Sequence, residues 1–189
     1  MHQHFLFLDF DGVLHLEADT YIDPFNQLVS FCAALRRGDP NQQIGIVISS
    51  AWRNMETLHE LRSHFPPDIQ RRILGVTPNF KKHHPALTGV RQREIEHWMQ
   101  THAPQGRWLA IDDRANYFDN ACPHLFWMPD WAALVEMDLS EPSSVLQALE
   151  QQVLSTSQRD AQATQNYIEL MQQFEARLVA FLALGGCGA

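Results

Sequence analysis

Cysteine, lysine and long hydrophobic runs are scarce in this chain. Its three cysteines, Cys32, Cys122 and Cys187, lack the spacing of a metal site or a disulfide framework. We therefore expect a protein of the reducing cytoplasm. No apolar run is long enough to span a membrane, and the first one meets Asp9 too early for a signal peptide. We therefore expect neither a disulfide-stapled secreted domain nor an integral membrane protein.

Positive charge is also scarce, and it is unevenly spread. The net charge is −8, and the only lysines are Lys81 and Lys82. Residues 53–107 carry 9 basic and 5 acidic groups, whereas residues 1–52 are net −4 and residues 108–189 net −8. A basic segment in an acidic protein is compatible with an anionic substrate met at one edge, or with arginines that only solvate the surface. The pattern argues against a broad nucleic-acid surface.

Short apolar runs alternate with amphipathic segments, which predicts an α/β fold of parallel strands joined by right-handed crossovers. The chain has 189 residues, 45% of them hydrophobic, enough for a real core. Asp23 and Pro24 are typical of a helix start. The predicted strands are residues 5–9, 44–49, 73–77, 107–112 and 124–128. The predicted helices are residues 24–38, 54–65, 89–102, 142–154 and 161–184.

The C-terminal segment has a character of its own. We expect a domain at residues 1–154 and a helical appendage at residues 155–189. Residues 161–184 have an apolar stripe at helical spacing that must be buried somewhere. The stripe either packs back on the domain or forms a homodimer contact or a docking surface for a partner protein.

Polar side chains follow three of the predicted strands at the point where each strand ends. Because ligands of parallel sheets sit outside the carboxyl ends of the strands, we expect these side chains to converge. Crowded carboxylates repel one another, and hard oxygen ligands are those that Mg²⁺ prefers. The side chains belong to Asp9, Asp11, Ser49, Ser50, Asp112 and Asp113.

The first pair of acids has the spacing of a nucleophile and an acid/base. A carboxylate at a strand end, Asp9, can attack phosphorus, and Asp11, two residues on, can protonate the leaving oxygen and then activate water. Gly12 lets the chain turn sharply after them. The alternative is an Asx-rich turn with no catalytic role.

The other two strand ends carry weaker signals. The hydroxyl of Ser49, or the competing Ser50, can hold a phosphoryl oxygen, although a serine pair also commonly caps a helix. Asp112 and Asp113 are costly as neighbours unless a cation is bound. The alternative is that one acid faces water and the other pairs with Arg114.

A cation is needed to neutralise a substrate phosphate. Four candidates lie before or within the predicted helix 89–102, whose N-terminus can also hold an anion. We rank Arg91 first and Lys82 second, ahead of Arg93 and Lys81.

These motifs resemble those of the haloacid dehalogenase-like (HAD) phosphohydrolases. The first, Asp-x-Asp-Gly-Val, stands at Asp9 to Val13, the second resembles Ile44 to Ser49, and the fourth resembles Leu109 to Asp113. The third motif, a lysine or arginine, fits best at Arg91. The resemblance covers about residues 5–150 and implies a Rossmann-like three-layer sandwich with a five-stranded parallel sheet of order 5-4-1-2-3.

The resemblance also implies roles. Asp9 would be the nucleophile and Asp11 the acid/base. Mg²⁺ would be held by Asp9, the backbone carbonyl of Asp11, Asp112 and Asp113, and the second acid of the first motif favours phosphoryl transfer over dehalogenation. The segments that carry caps in the family are short here, which leaves an open site.

We therefore expect a Mg²⁺-dependent phosphomonoester hydrolase acting on a small molecule or a nucleic-acid end. The Ser-Ser-Ala-Trp-Arg53 run is similar to HAD domains of RNA-repair proteins, which favours a 3′-phosphatase as a subclass. The non-enzymatic alternative is a binding module that docks through its C-terminal helix.

Overall fold

A computed structural model describes residues 2–15, 24–80, 89–129 and 156–184. Five strands form one parallel sheet in the order β3-β2-β1-β4-β5, which is the predicted order read from the other edge. The strands are β1 (His4–Leu8), β2 (Ile44–Ile48), β3 (Ile73–Val76), β4 (Arg107–Asp112) and β5 (Leu125–Trp127). The helices are α1 (Leu28–Gly38), α2 (Leu58–Ser63), α3 (Pro67–Gln70), α4 (Val90–His102) and α5 (Thr156–Ala183).

Helices cover both faces of the sheet, and the alternation of side chains along β1 shows how. Leu6 and Leu8 join the core that the sheet shares with α1, α2, α3 and α5. Phe5 and Phe7 join a second core with α4, where both rings meet Trp98 edge-on. Because both faces of the central strand are buried, it is apolar from Phe5 to Leu8. The α/β Rossmann-like architecture predicted from the sequence is confirmed.

The first helix begins later than predicted. Residues Pro24 to Gln27 form a turn, and α1 starts at Leu28. Phe25 has a φ of +68°, a left-handed conformation that a helix cannot include, so Pro24 is not its first residue. The prediction of a helix start at Pro24 was wrong because proline is equally at home in turns.

The predicted helix 54–65 also begins later than predicted. A 3₁₀ turn occupies Ala51–Asn54, and α2 then begins after Thr57. Thr57 and Glu60 form a reciprocal capping box, which satisfies backbone N–H groups at the new start. The predicted helix 142–154 lies outside the described residues.

The C-terminal helix α5 packs on the domain. Its apolar stripe, which includes Tyr167, Phe174 and Leu178, joins the core beneath α1. The stripe is therefore buried within one chain, and the homodimer contact at residues 161–184 has no support. The predicted boundary between residues 154 and 155 falls outside the described residues and stays a prediction. Among the described helices, none is long and apolar enough to cross a membrane.

Candidate active site

Strand register brings the three predicted strand ends to one level. Leu8 of β1 pairs with Ile48 of β2 on one side and with Ile111 of β4 on the other. The residues that follow these three, Asp9, Ser49 and Asp112, therefore emerge side by side. Backbone hydrogen bonds continue the ladder one step further, from the Asp9 N–H to the carbonyl of Ile111 and from the Ser49 N–H to the carbonyl of Leu8.

Three carboxylates meet at this edge. One oxygen each from Asp9, Asp112 and Asp113 lies within 4.8 Å of the other two. Asp9 and Asp112 are buried, being 4% and 1% exposed. The Asp113 carboxylate lies 3.3 Å from the guanidinium Nε of Arg114, which is one half of the alternative interpretation; the other half, an acid that faces water, is not observed, because the two side chains are only 2% and 6% exposed. The structure thus shows both the arginine contact and the acidic cluster.

The electrostatics of this cluster fit a divalent cation. Burial raises the pKa of Asp9, and it raises the pKa of Asp112 well above its ordinary value; Arg91 opposes both shifts. Like-charge repulsion from Asp9 and Asp113 also raises the pKa of Asp112, and repulsion from Asp11 raises the pKa of Asp9. A hard cation bound between three oxygen donors would remove that repulsion, so the donor set suits Mg²⁺.

Arg91 reaches the same cluster from the first turn of α4. Its Nη1 atom lies 3.5 Å from Oδ1 of Asp9 and 3.2 Å from Oδ2 of Asp112. Its guanidinium also lies 5.7 Å from the ring centre of Tyr117. Although burial opposes the charged form, the two carboxylates raise the pKa of Arg91. A permanent positive charge therefore sits beside the candidate nucleophile.

Of the other three predicted cations, the structure describes only Arg93. Arg93 turns outward, where it pairs with Glu96 and Asp119 at 3.0 and 2.9 Å. Lys81 and Lys82 lie outside the described residues. Of the described candidates, Arg91 alone contacts the acidic cluster.

The two serines point to different partners. Ser50 donates a hydrogen bond to the carboxylate of Asp9, which lowers the pKa of that acid. Its Oγ also accepts a hydrogen bond from the Trp52 N–H at 3.4 Å, the helix-capping use of serine. Ser49 is buried, and its Oγ accepts a hydrogen bond from the hydroxyl of Thr77 at 3.4 Å. Ser50, the competing candidate, is thus the serine that contacts Asp9.

Asp11 lies beside the cluster and is less buried than Asp9. Its side chain is 30% exposed, and its Oδ1 lies 3.0 Å from both the indole nitrogen of Trp52 and Nε2 of His15. Gly12 follows with a φ of +72°. This turn brings the first motif against the side chain of Asp113.

A second buried ion pair, which the sequence interpretation missed, supports the site. Arg53 donates to Glu94 at 2.7 Å and to the backbone carbonyl of Ser50 at 2.7 Å. The other carboxylate oxygen of Glu94 accepts the N–H of Phe80 at 2.8 Å. A signal for Glu94 was available, because it follows Arg91 by three residues and so shares its helix face.

The family can now be identified. A sequence model of the family described as "HAD domain in Swiss Army Knife RNA repair proteins" matches residues 5–134, well over half of the chain. The chain belongs to this HAD family. Comparisons with curated proteins and with solved structures found no match.

The matched region contains the whole site. In this HAD domain, the strand ends of β1, β2 and β4 and the arginine of α4 all fall between residues 5 and 134. Helix α5 begins after the match ends. The resemblance to HAD domains of RNA-repair proteins, drawn from the motifs, is confirmed.

Proposed function

We propose that this HAD domain is a Mg²⁺-dependent phosphomonoester hydrolase that forms a phospho-aspartate on Asp9. The observation that carries the proposal is the meeting of three carboxylates and one buried arginine at a single sheet edge. A cluster of acids alone would repel a phosphate. The combination of a cation site with Arg91 instead provides positive charge where a phosphoryl group would have to bind.

The proposed chemistry has two steps. An oxygen of Asp9 attacks phosphorus, the bond between phosphorus and the ester oxygen breaks, and Asp11 gives its proton to the departing oxygen. Water then attacks the acyl phosphate while Asp11 takes up a proton, which releases inorganic phosphate and restores the Asp9 carboxylate. General acid–base help of this kind is typically worth about 10²–10⁴-fold in rate.

The surrounding residues have separate tasks. Asp9, Asp112, Asp113 and the backbone carbonyl of Asp11 would hold Mg²⁺, which when bound supplies charge neutralisation for the phosphoryl oxygens. Arg91 orients and neutralises the phosphoryl group. The hydroxyl of Ser50 keeps the Asp9 side chain in place through its hydrogen bond, and buried Ser49 stays a proposed phosphate contact.

A nucleic-acid end is the substrate class favoured by the family. The matched description names RNA repair, and Arg53 lies near Asp9 and Arg91, close enough to be influenced by both charges. A 3′-phosphatase is thus the favoured subclass. A non-catalytic docking role has less support, because the apolar stripe of α5 is used within the core.

The first experiment tests the chemistry. We expect hydrolysis of p-nitrophenyl phosphate that requires Mg²⁺ and stops with EDTA, and we expect Asp9→Asn to lower turnover by at least about 10³-fold. Asp68→Asn, which removes an exposed carboxylate paired with Arg36, serves as the control and retains activity. Circular dichroism checks that both variants are folded. Full turnover by Asp9→Asn, or activity that ignores chelation, would contradict the mechanism.

The second experiment tests the substrate class. Oligonucleotides carrying a 3′-phosphate are compared with small phosphate esters at increasing salt. We expect a higher kcat/KM for the oligonucleotide and a KM that rises with salt, because phosphate contacts release counterions. A salt-independent preference for small esters would replace the repair substrate with a metabolite.

A further inference from the structure

Oδ1 of the Asp11 carboxyl group has two side-chain partners. Oδ1 accepts a hydrogen bond from the indole N–H of Trp52 at 3.0 Å, and Nε2 of His15 lies 3.0 Å from the same oxygen. Trp52 comes from the 3₁₀ turn after β2, and His15 follows the first motif. Two separate segments therefore converge on a single oxygen of the proposed acid/base.

The hydrogen-bond geometry of the His15 ring indicates which of its nitrogens carries a hydrogen. The side chain is fully buried, and its Nδ1 makes no hydrogen bond within the described part of the chain. A buried N–H without a partner is costly, so we assign the hydrogen to Nε2 and the lone pair to Nδ1. His15 then donates to Oδ1 of Asp11, as Trp52 does.

Aromatic packing keeps both donors in place. The ring of Phe25 lies 5.4 Å from that of His15 and 5.1 Å from that of Trp52, both nearly edge-on. Phe10 contacts both Phe25 and Trp52, at ring distances of 5.5 and 5.9 Å. Phe25 has a φ of +68°, a strained conformation for a bulky residue, which persists only where the surroundings enforce it.

We propose that Trp52 and His15 are positioning residues for proton transfer by Asp11. An indole N–H can only donate, so Oδ1 stays an acceptor and the transferable proton belongs on Oδ2. The two donors fix the side-chain rotamer of Asp11 and thereby the direction in which that proton is delivered. This inference rests on the proposed phosphatase activity.

The test depends on how much each substrate needs the proton. p-Nitrophenolate leaves readily without protonation, whereas the alkoxide of an alkyl phosphate does not. Trp52→Phe keeps an aromatic ring but loses the N–H, and His15→Phe does the same for the second donor. We expect each to lower kcat on the alkyl phosphate by about tenfold or more, part of the full general-acid contribution, and kcat on p-nitrophenyl phosphate by less than about threefold.

Two further variants separate positioning from packing. His15→Gln restores an N–H donor and is expected to recover most of the kcat on the alkyl phosphate that His15→Phe loses. Phe25→Leu disturbs the same rings without touching Asp11, and it is expected to affect both substrates to the same degree. Thermal melts of all four variants show that each is folded.

The outcomes distinguish the two proposals. If the wild-type protein hydrolyses neither ester, the phosphatase function itself is wrong. If the wild type is active and Trp52→Phe lowers kcat equally on both esters, or if Phe25→Leu shows the same selective loss, the positioning role is wrong. Failure of His15→Gln to exceed His15→Phe on the alkyl phosphate would likewise remove His15 from it.

Discussion

Gly12 follows the two acids of the first motif and adopts a φ of +72°. A Cβ built at this position would lie 2.6 Å from the Cβ, Cγ and Oδ2 atoms of Asp113. The side chain of Asp113 is only 6% exposed and has little room to retreat. The absence of a side chain at residue 12 therefore allows the first and fourth motifs to approach each other.

We expect Gly12→Ala to damage the site more than the fold. The left-handed conformation costs a residue with a Cβ about 1–2 kcal/mol, and the clash with Asp113 displaces a proposed metal ligand. Mg²⁺ binding followed by calorimetry, together with phosphatase assays, is expected to show a weaker metal affinity and a large loss of turnover.

Gly75→Ala is the matched control for this substitution. Its nearest contact for a new Cβ is Nε1 of Trp98 at 3.8 Å, an ordinary van der Waals distance. We expect little change in Mg²⁺ affinity or in the melting temperature. Equal losses in the two variants would show that Gly12 has no special relation to Asp113.

The positions of some site residues can be predicted from the sequence, and those of others cannot. Asp9, Asp112 and Asp113 follow apolar strands directly, so parallel register alone brings them together. The partners of Asp11 could not be predicted in this way, because Trp52 and His15 reach it from a turn and a loop whose conformations depend on tertiary packing. The sequence therefore predicts where residues at strand ends lie, but it does not predict which residues loop side chains contact.

Among the elements, α4 joins two buried arginines to the site. Arg91 contacts the acidic cluster directly, and Glu94, one turn later, pairs with Arg53, whose pKa is lowered by burial. The side chains of Arg53 and Glu94 are only 6% and 2% exposed. Removing one charge of such a pair leaves the other buried without compensation.

Glu94→Gln tests this arrangement while keeping the shape of the side chain. We expect a loss of about 3–5 kcal/mol in the free energy of unfolding, because Arg53 keeps a charge that it cannot expose to water. Urea unfolding monitored by tryptophan fluorescence measures the change. The variant is also expected to lose activity, since Arg53 binds the carbonyl of Ser50 beside Asp9.

Glu96→Gln provides the comparison on the same helix. Glu96 pairs with Arg93 at the surface, where both side chains are more than a third exposed. Exposed ion pairs contribute about 0–1 kcal/mol, so stability and activity are expected to stay near those of the wild type. A Glu94→Gln variant no less stable than Glu96→Gln would contradict the buried-pair argument.

Helix α5 can be tested in the same way through two adjacent residues. Leu178 is fully buried and lies against Gly38 of α1, where a Cβ at residue 38 would come within 3.0 Å of it. Val179 is 53% exposed. We expect Leu178→Ala to cost about 2–5 kcal/mol and Val179→Ala to change stability by less than about 0.5 kcal/mol in chemical denaturation.

This pair of substitutions bears on the status of the C-terminal segment. If α5 were an independent appendage, Leu178→Ala would leave the unfolding of the HAD domain unchanged. A single cooperative transition that shifts with Leu178→Ala is expected instead, because Tyr167 also donates a hydrogen bond to the carbonyl of Val13 at 2.8 Å. That bond ties α5 to the loop of the first motif.

Elements were predicted with more success in their existence than in their bounds. All five strands lie where apolar runs predict them, since a central parallel strand must be apolar on both faces. The starts of α1 and α2 were missed. In one case Phe25 adopts a left-handed conformation, and in the other the Thr57 capping box competes with an earlier start. Neither feature changes the spacing of apolar residues from which the helices were predicted.

For the molecule as a whole, the excess of basic residues in the segment 53–107 serves both the fold and the site. Several arginines of the basic segment 53–107 serve the fold: Arg62 donates to the carbonyl of Ile73, and Arg72 pairs with buried Asp39 at 2.5 Å. Among the described residues of that segment, Arg53 and Arg91 are the ones placed near the acidic cluster. The basic segment thus supplies two arginines to the site and at least two others to the fold.

An acidic protein with buried carboxylates at one edge is expected to gain global stability from Mg²⁺. An ion that binds only the folded state adds RT ln(1 + [Mg²⁺]/Kd) to the free energy of unfolding, about 2.7 kcal/mol at one hundred times Kd. Differential scanning fluorimetry should therefore show a melting temperature that rises with Mg²⁺ and falls again with EDTA. Asp112→Asn is expected to abolish the rise, and Asp119→Asn, which alters an exposed acid bound to Arg93, is expected to retain it. The gain depends on ligands from the ends of both β1 and β4. A full Mg²⁺ response in the Asp112→Asn variant would therefore show that the ion stabilises the chain through some other site. The metal assignment on which the proposed chemistry depends would then be wrong.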